Sequence, residues 1–255
     1  MAHDFTHPLI RNIAVADLKE VLLKGLQDFK EKPSHLVFLG VLYPIVTFAA
    51  AFTAAKSELL PLLFPLISGF ALIGPFVAIG LYELSRRREQ GLDMSWNHAF
   101  QVIWSPSISA IMLLSILLCV IYLVWLGAAL GIYWMIFGTE MPKSAIDFVR
   151  QVFMTPAGWT LIIVGCGVGF VFAVIVLAIA AVSFPMLIDR PVSASTAIQT
   201  SVRAFLTNPG TMLVWGLIVA ILLIVGALPL FAGLAVVMPV LGHATWHLYR
   251  RVVEN

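Results

Sequence analysis

From Ala204 to Tyr249 the chain carries no Asp, Glu, Lys or Arg, and four earlier blocks, residues 33–55, 59–82, 104–139 and 151–188, are equally free of charge. A hydrocarbon core takes about 20 apolar residues per helical crossing. These blocks hold material for about six crossings, the last block folding back on itself. Only 11% of the 255 residues are charged, against about a quarter in soluble domains. That is too few to cover a water-facing surface, so the bilayer is the solvent for most of this chain.

The spans are predicted at 35–55, 59–84, 107–137, 157–187, 210–227 and 229–249. Backbone groups in lipid must be paired within the segment, and continuous apolar runs of this length fit helices. The polar/apolar alternation of an outer-membrane barrel is absent. Pro44, Pro65, Pro75, Pro185, Pro229 and Pro239 fall inside the spans, where membrane helices tolerate them as kinks. Pro229, with Gly226 and Gly233 nearby, marks the turn between the last two.

Lysine and arginine set the orientation. Six crossings place Arg11, Lys19, Lys24, Lys30, Lys32, Arg86, Arg87, Arg88, Arg190, Arg203, Arg250 and Arg251 on one side, against Lys56, Lys143 and Arg150 on the other. Both termini are therefore expected in the cytoplasm. Residues 1–13 lack a basic region followed by an apolar one and read as a polar cytoplasmic tail, leaving residues 14–255 as a single integral membrane domain. A net charge of +2 gives no clustered basic face for nucleic acid.

The expected fold is all-α: a six-span bundle with short cytoplasmic amphipathic helices. A helix-plus-hairpin repeat is a candidate. Phe29 precedes Pro33 as Phe205 precedes Pro209. Tyr82, Leu84, Arg86 and Arg87 follow Pro75 at the offsets of Trp246, Leu248, Arg250 and Arg251 after Pro239. A looser middle copy runs from Phe100 and Pro106 to Pro185, giving three units.

In the first amphipathic helix Asp17 and Glu20 have capping-box spacing. Leu18, Leu22, Gly25 and Phe29 form its apolar stripe and Asp17, Glu20, Lys24 and Gln27 the polar one. Ser193 is placed to cap the third such helix, whose face includes Ile198, Val202 and Phe205. On the opposite side, Ser144 and Asp147 have capping spacing before Ile146, Val149 and Phe153.

No charged residue sits at a predicted mid-bilayer position, which lowers the case for an ion-coupled transporter. The polar groups gather at the cytoplasmic boundary: His35, Glu83, Asp189, Arg190, His243 and His247, with His98 in a connection. His243 and His247, four residues apart, share a helix face, and with His35 are the candidate metal or haem ligands. The plainer reading bonds these rings to headgroups, carbonyls or acids. Asp189 either caps the third amphipathic helix or pairs with basic span ends, as a structural latch. Most tryptophans, Trp246 among them, lie near span ends and suit an aromatic belt. Gly165, Gly167 and Gly169 allow close helix approach. Cys119 and Cys166, inside spans, read as small packing residues. No catalytic set and no cofactor site emerges.

The run FPMLIDRPVSASTAIQTSVRAFLTNP, together with the ending GHATWHLYRR, resembles domain of unknown function 2189, a family of bacterial integral membrane proteins. The resemblance implies a multi-pass cytoplasmic-membrane protein and singles out Asp189, Arg190, His243, Trp246 and His247. It supplies no mechanism. Some members carry the label cytochrome c oxidase subunit I, but the histidine pattern here departs from that enzyme. The leading expectation is a non-enzymatic inner-membrane protein whose partners are the lipid bilayer and other membrane proteins. The alternatives are a transporter of a neutral solute and a metal- or haem-binding respiratory accessory subunit.

Overall fold

The computed structural model describes residues 8–34, 60–69, 72, 74–140, 142 and 144–254. In chain order its helices are α1 (Asp17–Glu31), α2 (Leu60–Gly69), α3 (Gly74–Val77), α4 (Ile79–Glu89), α5 (Trp96–Gln101) and α6 (Ile108–Phe137). They continue with α7 (Ala145–Met154), α8 (Pro156–Ala180), α9 (Ser183–Asp189), α10 (Ala194–Thr207), α11 (Pro209–Ala227) and α12 (Leu234–Val252). Among the described residues β pairing is confined to an antiparallel bridge between Ile10 and Val253.

Among the described residues three helical stretches are long and apolar enough to cross a membrane: α6, the α8–α9 run Pro156–Asp189, and α11. They match the third, fourth and fifth predicted spans. The first predicted span, with His35, lies outside the described residues. The second is not one continuous helix. It is divided into α2, α3 and α4, with Pro65 inside α2 and Gly74 and Pro75 opening α3. Each proline removes a backbone donor and crowds the preceding turn. The sixth, α12, starts at Leu234 and ends with Arg250 and Arg251 in its last turn, and much of it is buried in protein.

The chain divides into two compact units, one from Met1–Gly40, Pro75–Ser115 and Val174–Asn255, the other from Val41–Gly74 and Ile116–Ala173. In the second unit α2 packs on α7. The indole of Trp125 donates to the Pro65 carbonyl at 3.2 Å, and the Tyr122 hydroxyl to that of Leu66 at 3.3 Å. Gly169 lies against Trp125, where an added Cβ would stand 3.0 Å from the ring. A Cβ added at Gly165 or Gly167 would meet nothing within 4 Å, so among the described residues close approach is realised at one of the three glycines. Ser144 caps α7 by accepting from the Asp147 N–H at 3.1 Å. Ile146, Val149 and Phe153 face outward, uncovered by the chain.

In the first unit α4, α9 and α12 pack on one another. Against each lies one further helix: α5 on α4, α10 on α9 and α1 on α12. The buried residues of α1 are Leu18, Val21, Gly25 and Asp28. Those of α10 include Ala194, Ala197, Ser201 and Ala204, at one constant offset from the first set. Both stripes are rotated by about one residue from the expected ones. Leu22 and Phe29, like Ile198, Val202 and Phe205, flank the contact, and small residues take its centre because they let the helix backbones approach.

Ser193 caps α10, accepting from the Thr196 N–H at 3.1 Å. Ser193→Ala is expected to cost about 1 kcal/mol, read as a lower unfolding midpoint in detergent. The expected capping box at Asp17 does not form. Asp17 is already helical, and its carboxylate accepts from the Ala14 N–H at 2.8 Å and from Arg251 at 2.6 Å.

The stretch read as a tail is bound into the first unit from Leu9 onward. Arg11 N–H donates to the Val252 carbonyl and Glu254 N–H to that of Leu9. Asn208 accepts from the Ile13 N–H at 2.8 Å, and the Thr211 hydroxyl donates to the Ile13 carbonyl at 2.9 Å.

Candidate functional site

Within the first unit, polar side chains meet where α1, α4 and α12 pack together. Close packing there depends on Gly25, whose missing Cβ would lie 2.6 Å from both the Cβ and the nitrogen of Ala244. One turn further along α1, Asp28 enters the same interface and is fully buried. Its Oδ1 accepts from Arg88 at 2.5 Å. Its Oδ2 accepts from the Ser85 hydroxyl at 2.5 Å and bonds His247 Nε2 at 2.9 Å. Arg88 also holds Glu31. Burial alone would raise the Asp28 pKa; the hydrogen bonds from His247 and Ser85 and the nearby imidazoles outweigh it and hold the carboxyl below its ordinary value.

Ser85 fixes the state of the second imidazole. Its one proton goes to Asp28, so its oxygen must accept from Nδ1–H of His243, 2.7 Å away. Neutral His243 then carries its proton on Nδ1, and Nε2 keeps a bare lone pair. That atom is buried, and among the described residues no partner meets it with hydrogen-bond geometry. His247 instead faces a cleft of about 190 Å³ lined also by Arg11, Asp17, Glu20, Lys24, Arg250 and Arg251. A continuous path of short contacts thus runs from the cleft through His247, Asp28 and Ser85 to His243. It can hold and pass a proton, and it ties three helices together.

Sequence spacing placed His243 and His247 on one helix face, and they converge on a single carboxylate oxygen, 3.9 and 2.9 Å away. The cation at that carboxylate is a guanidinium. Among the described residues no group of three or more His, Cys, Asp or Glu is arranged to hold a metal ion. His35 lies outside the described residues. Asp28 and Ser85 escaped the sequence reading, and Arg88 entered it only as one of the basic residues that set the orientation. The available signal was an acid three residues after Gly25, on the stripe begun by Leu18.

The other candidates form a second group beside the first. Asp189 accepts from the Tyr249 hydroxyl at 2.6 Å and lies 3.4 Å from Arg190 and 3.6 Å from Arg250. Of the two geometries open to Asp189, it takes pairing. Trp246 is buried, donates to Glu89 at 3.1 Å and packs on Tyr249. Trp215 is buried as well. The aromatic-belt expectation therefore suits Trp104, Trp134 and Trp159, which are exposed, and not these two. Cys119 and Cys166 are free and exposed rather than packed inside. Glu83 pairs with Arg86 at 2.7 Å. His98 lies 3.3 Å from Asp93.

A carboxylate whose pKa is lowered on folding stabilises the fold fully above its unfolded value, about 3.9. That contribution is lost as pH falls through the lowered, folded-state value. Wild type is expected to lose stability in acid more steeply than Asp28→Asn, which has no charge there to neutralise. Unfolding midpoints taken in detergent between neutral and acid pH check this.

Long apolar helices, with ion pairs gathered outside them, define a helical integral membrane protein. Residues 63–189 match the model of a family described as predicted integral membrane protein (DUF2189). Neither a curated protein nor a solved structure matches the chain.

Proposed function

We propose that this is a non-enzymatic protein of the bacterial cytoplasmic membrane that organises or assembles other membrane proteins through its spanning helices. The carrying observation is the open face of α8. Only 6% of the most apolar window of the run Pro156–Asp189 is buried by the chain itself, and a Cβ added at Gly165 or Gly167 would meet no neighbouring element within 4 Å among the described residues. Small residues on a membrane helix let another backbone come close. The polar latch would then fix the cytoplasmic end while the apolar helices remain available to partners.

The finer topology is six crossings with both termini in the cytoplasm. It is supported by the basic residues on that side and by the Ile10–Val253 bridge, which joins the two ends of the chain. The three-unit repeat is supported by the matched burial of α1 and α10. It is supported further by the pairing of α1, α5 and α10 each with its own helix, α12, α4 and α9.

Purification from native membranes in mild detergent, followed by native gel and mass spectrometry, tests the proposal. A protein partner is expected to copurify, and Gly165→Leu with Gly167→Leu to release it without changing the unfolding midpoint. A clean monomer from wild-type membranes would sink it.

A further inference from the structure

Two of the three consecutive arginines of α4 do not face the latch. Arg86 and Arg87 line a second cleft, about 340 Å³, with Glu83, Val102, Trp104, Ser105, Pro106 and Ile188. We propose that this cleft binds the phosphate headgroup of an anionic phospholipid. The inference rests on the membrane assignment and is independent of the partner-organising role.

The position is the first ground. The cleft sits where α4 ends in basic residues and where the chain enters α6, a membrane-spanning helix starting at Ile108. A headgroup lies at that depth, and basic pockets beside spanning helices on the cytoplasmic side suit anionic lipids.

Charge is the second ground. Among the described residues lining the cleft, Glu83 is the one carboxylate against two guanidiniums. Arg86 gives both Nε and Nη2 to Glu83, at 2.7 and 2.9 Å. Arg87 spends Nε on the Asp93 carbonyl at 2.6 Å, and its Nη1 is 3.8 Å from Glu83, beyond hydrogen-bond reach. The terminal nitrogens of Arg87 thus keep donors to give, in the planar fork that suits phosphate. The Ser105 hydroxyl accepts from the Ser107 N–H at 3.2 Å and keeps its own proton for a phosphate oxygen.

The apolar lining is the third ground. Trp104 is 84% exposed, and with Pro106 and Ile188 it offers a surface for the glycerol and upper acyl chains. Tryptophan is favoured at headgroup level because its ring is amphipathic. A free phosphate would use the donors and leave this surface in water.

The test uses the full-length protein in detergent with phosphatidylglycerol or phosphatidylcholine added, bound lipid being counted by native mass spectrometry. Wild type is expected to retain phosphatidylglycerol preferentially, and Arg87→Gln to weaken that retention about fivefold. Ser105→Ala, which leaves the Glu83 pairs intact, should weaken it in the same direction. Lys24→Gln, in the other cleft, should leave it unchanged. Equal retention of both lipids, or retention indifferent to both cleft variants, would overturn the site. Displacement by inorganic phosphate or glycerol 1-phosphate would assign it to a soluble anion and overturn the lipid.

Discussion

Asp28→Ala is expected to destabilise the folded protein by about 3–5 kcal/mol, because removing one partner of a buried ion pair leaves the others uncompensated. Arg88 would lose the carboxylate beneath it, His247 its acceptor and the Ser85 hydroxyl the acceptor of its proton. Burial makes this more than the loss of a surface bridge: Asp28 is fully buried, whereas its partner Arg88 keeps some access to solvent. Arg88→Ala should therefore cost less. Surface pairs such as Arg11 with Glu254 contribute about 0–1 kcal/mol. Titration with denaturant in detergent supplies the measurement, and a double-mutant cycle of Asp28→Ala with His247→Ala isolates their coupling. If Asp28→Ala unfolds with the wild-type midpoint, the latch does not hold the three helices together.

Gly25→Ala is the second large effect. On an exposed helix the substitution would help by about 1 kcal/mol through helix propensity. Here the new Cβ would meet the Ala244 Cβ and nitrogen at 2.6 Å and the Val240 carbonyl oxygen at 2.7 Å. Two of those atoms are backbone of α12 and cannot rotate aside. Overpacking of this kind costs about 1–3 kcal/mol, so destabilisation wins. Gly25→Leu should part α1 from α12 and break the bonds of Asp28 at the same time. Gly242→Ala is the control. Its closest clash is the Leu81 Cδ1 atom at 2.5 Å, the mobile end of a side chain, and a smaller loss is expected. Equal midpoints for Gly25→Ala and wild type would show that the two helices have room to adjust.

The deepest polar group in the first unit is the one the sequence pattern hides. Asp28 follows Gly25 at helical spacing, yet a helical period alone reads it as the edge of the polar stripe. The difference between Leu22 and Val21 at the contact centre is about 100° of rotation. Periodicity in a helix with acids on both flanks does not resolve that angle. Only the partner helix does, by presenting Ala244 at one position and His247 at another. Trp246 and Trp215 make the same point. Near a span end, a tryptophan suits headgroups or a protein core equally well, and tertiary packing chose the core for both.

By itself, the sequence determined the apolar bulk, the all-helical class, the caps at Ser144 and Ser193, and the gathering of polar groups outside the long apolar runs. Those depend on local composition and on the bilayer's demand that every backbone group find its partner within the segment. Tertiary structure alone decided that α1 turns Asp28 inward, that Ser85 and Arg88 meet it, and that His243 keeps a bare nitrogen in the core. Each of these depends on which helix lies opposite. That is a property of residues far apart in the chain, and it is fixed by the few small side chains that allow helix backbones to touch.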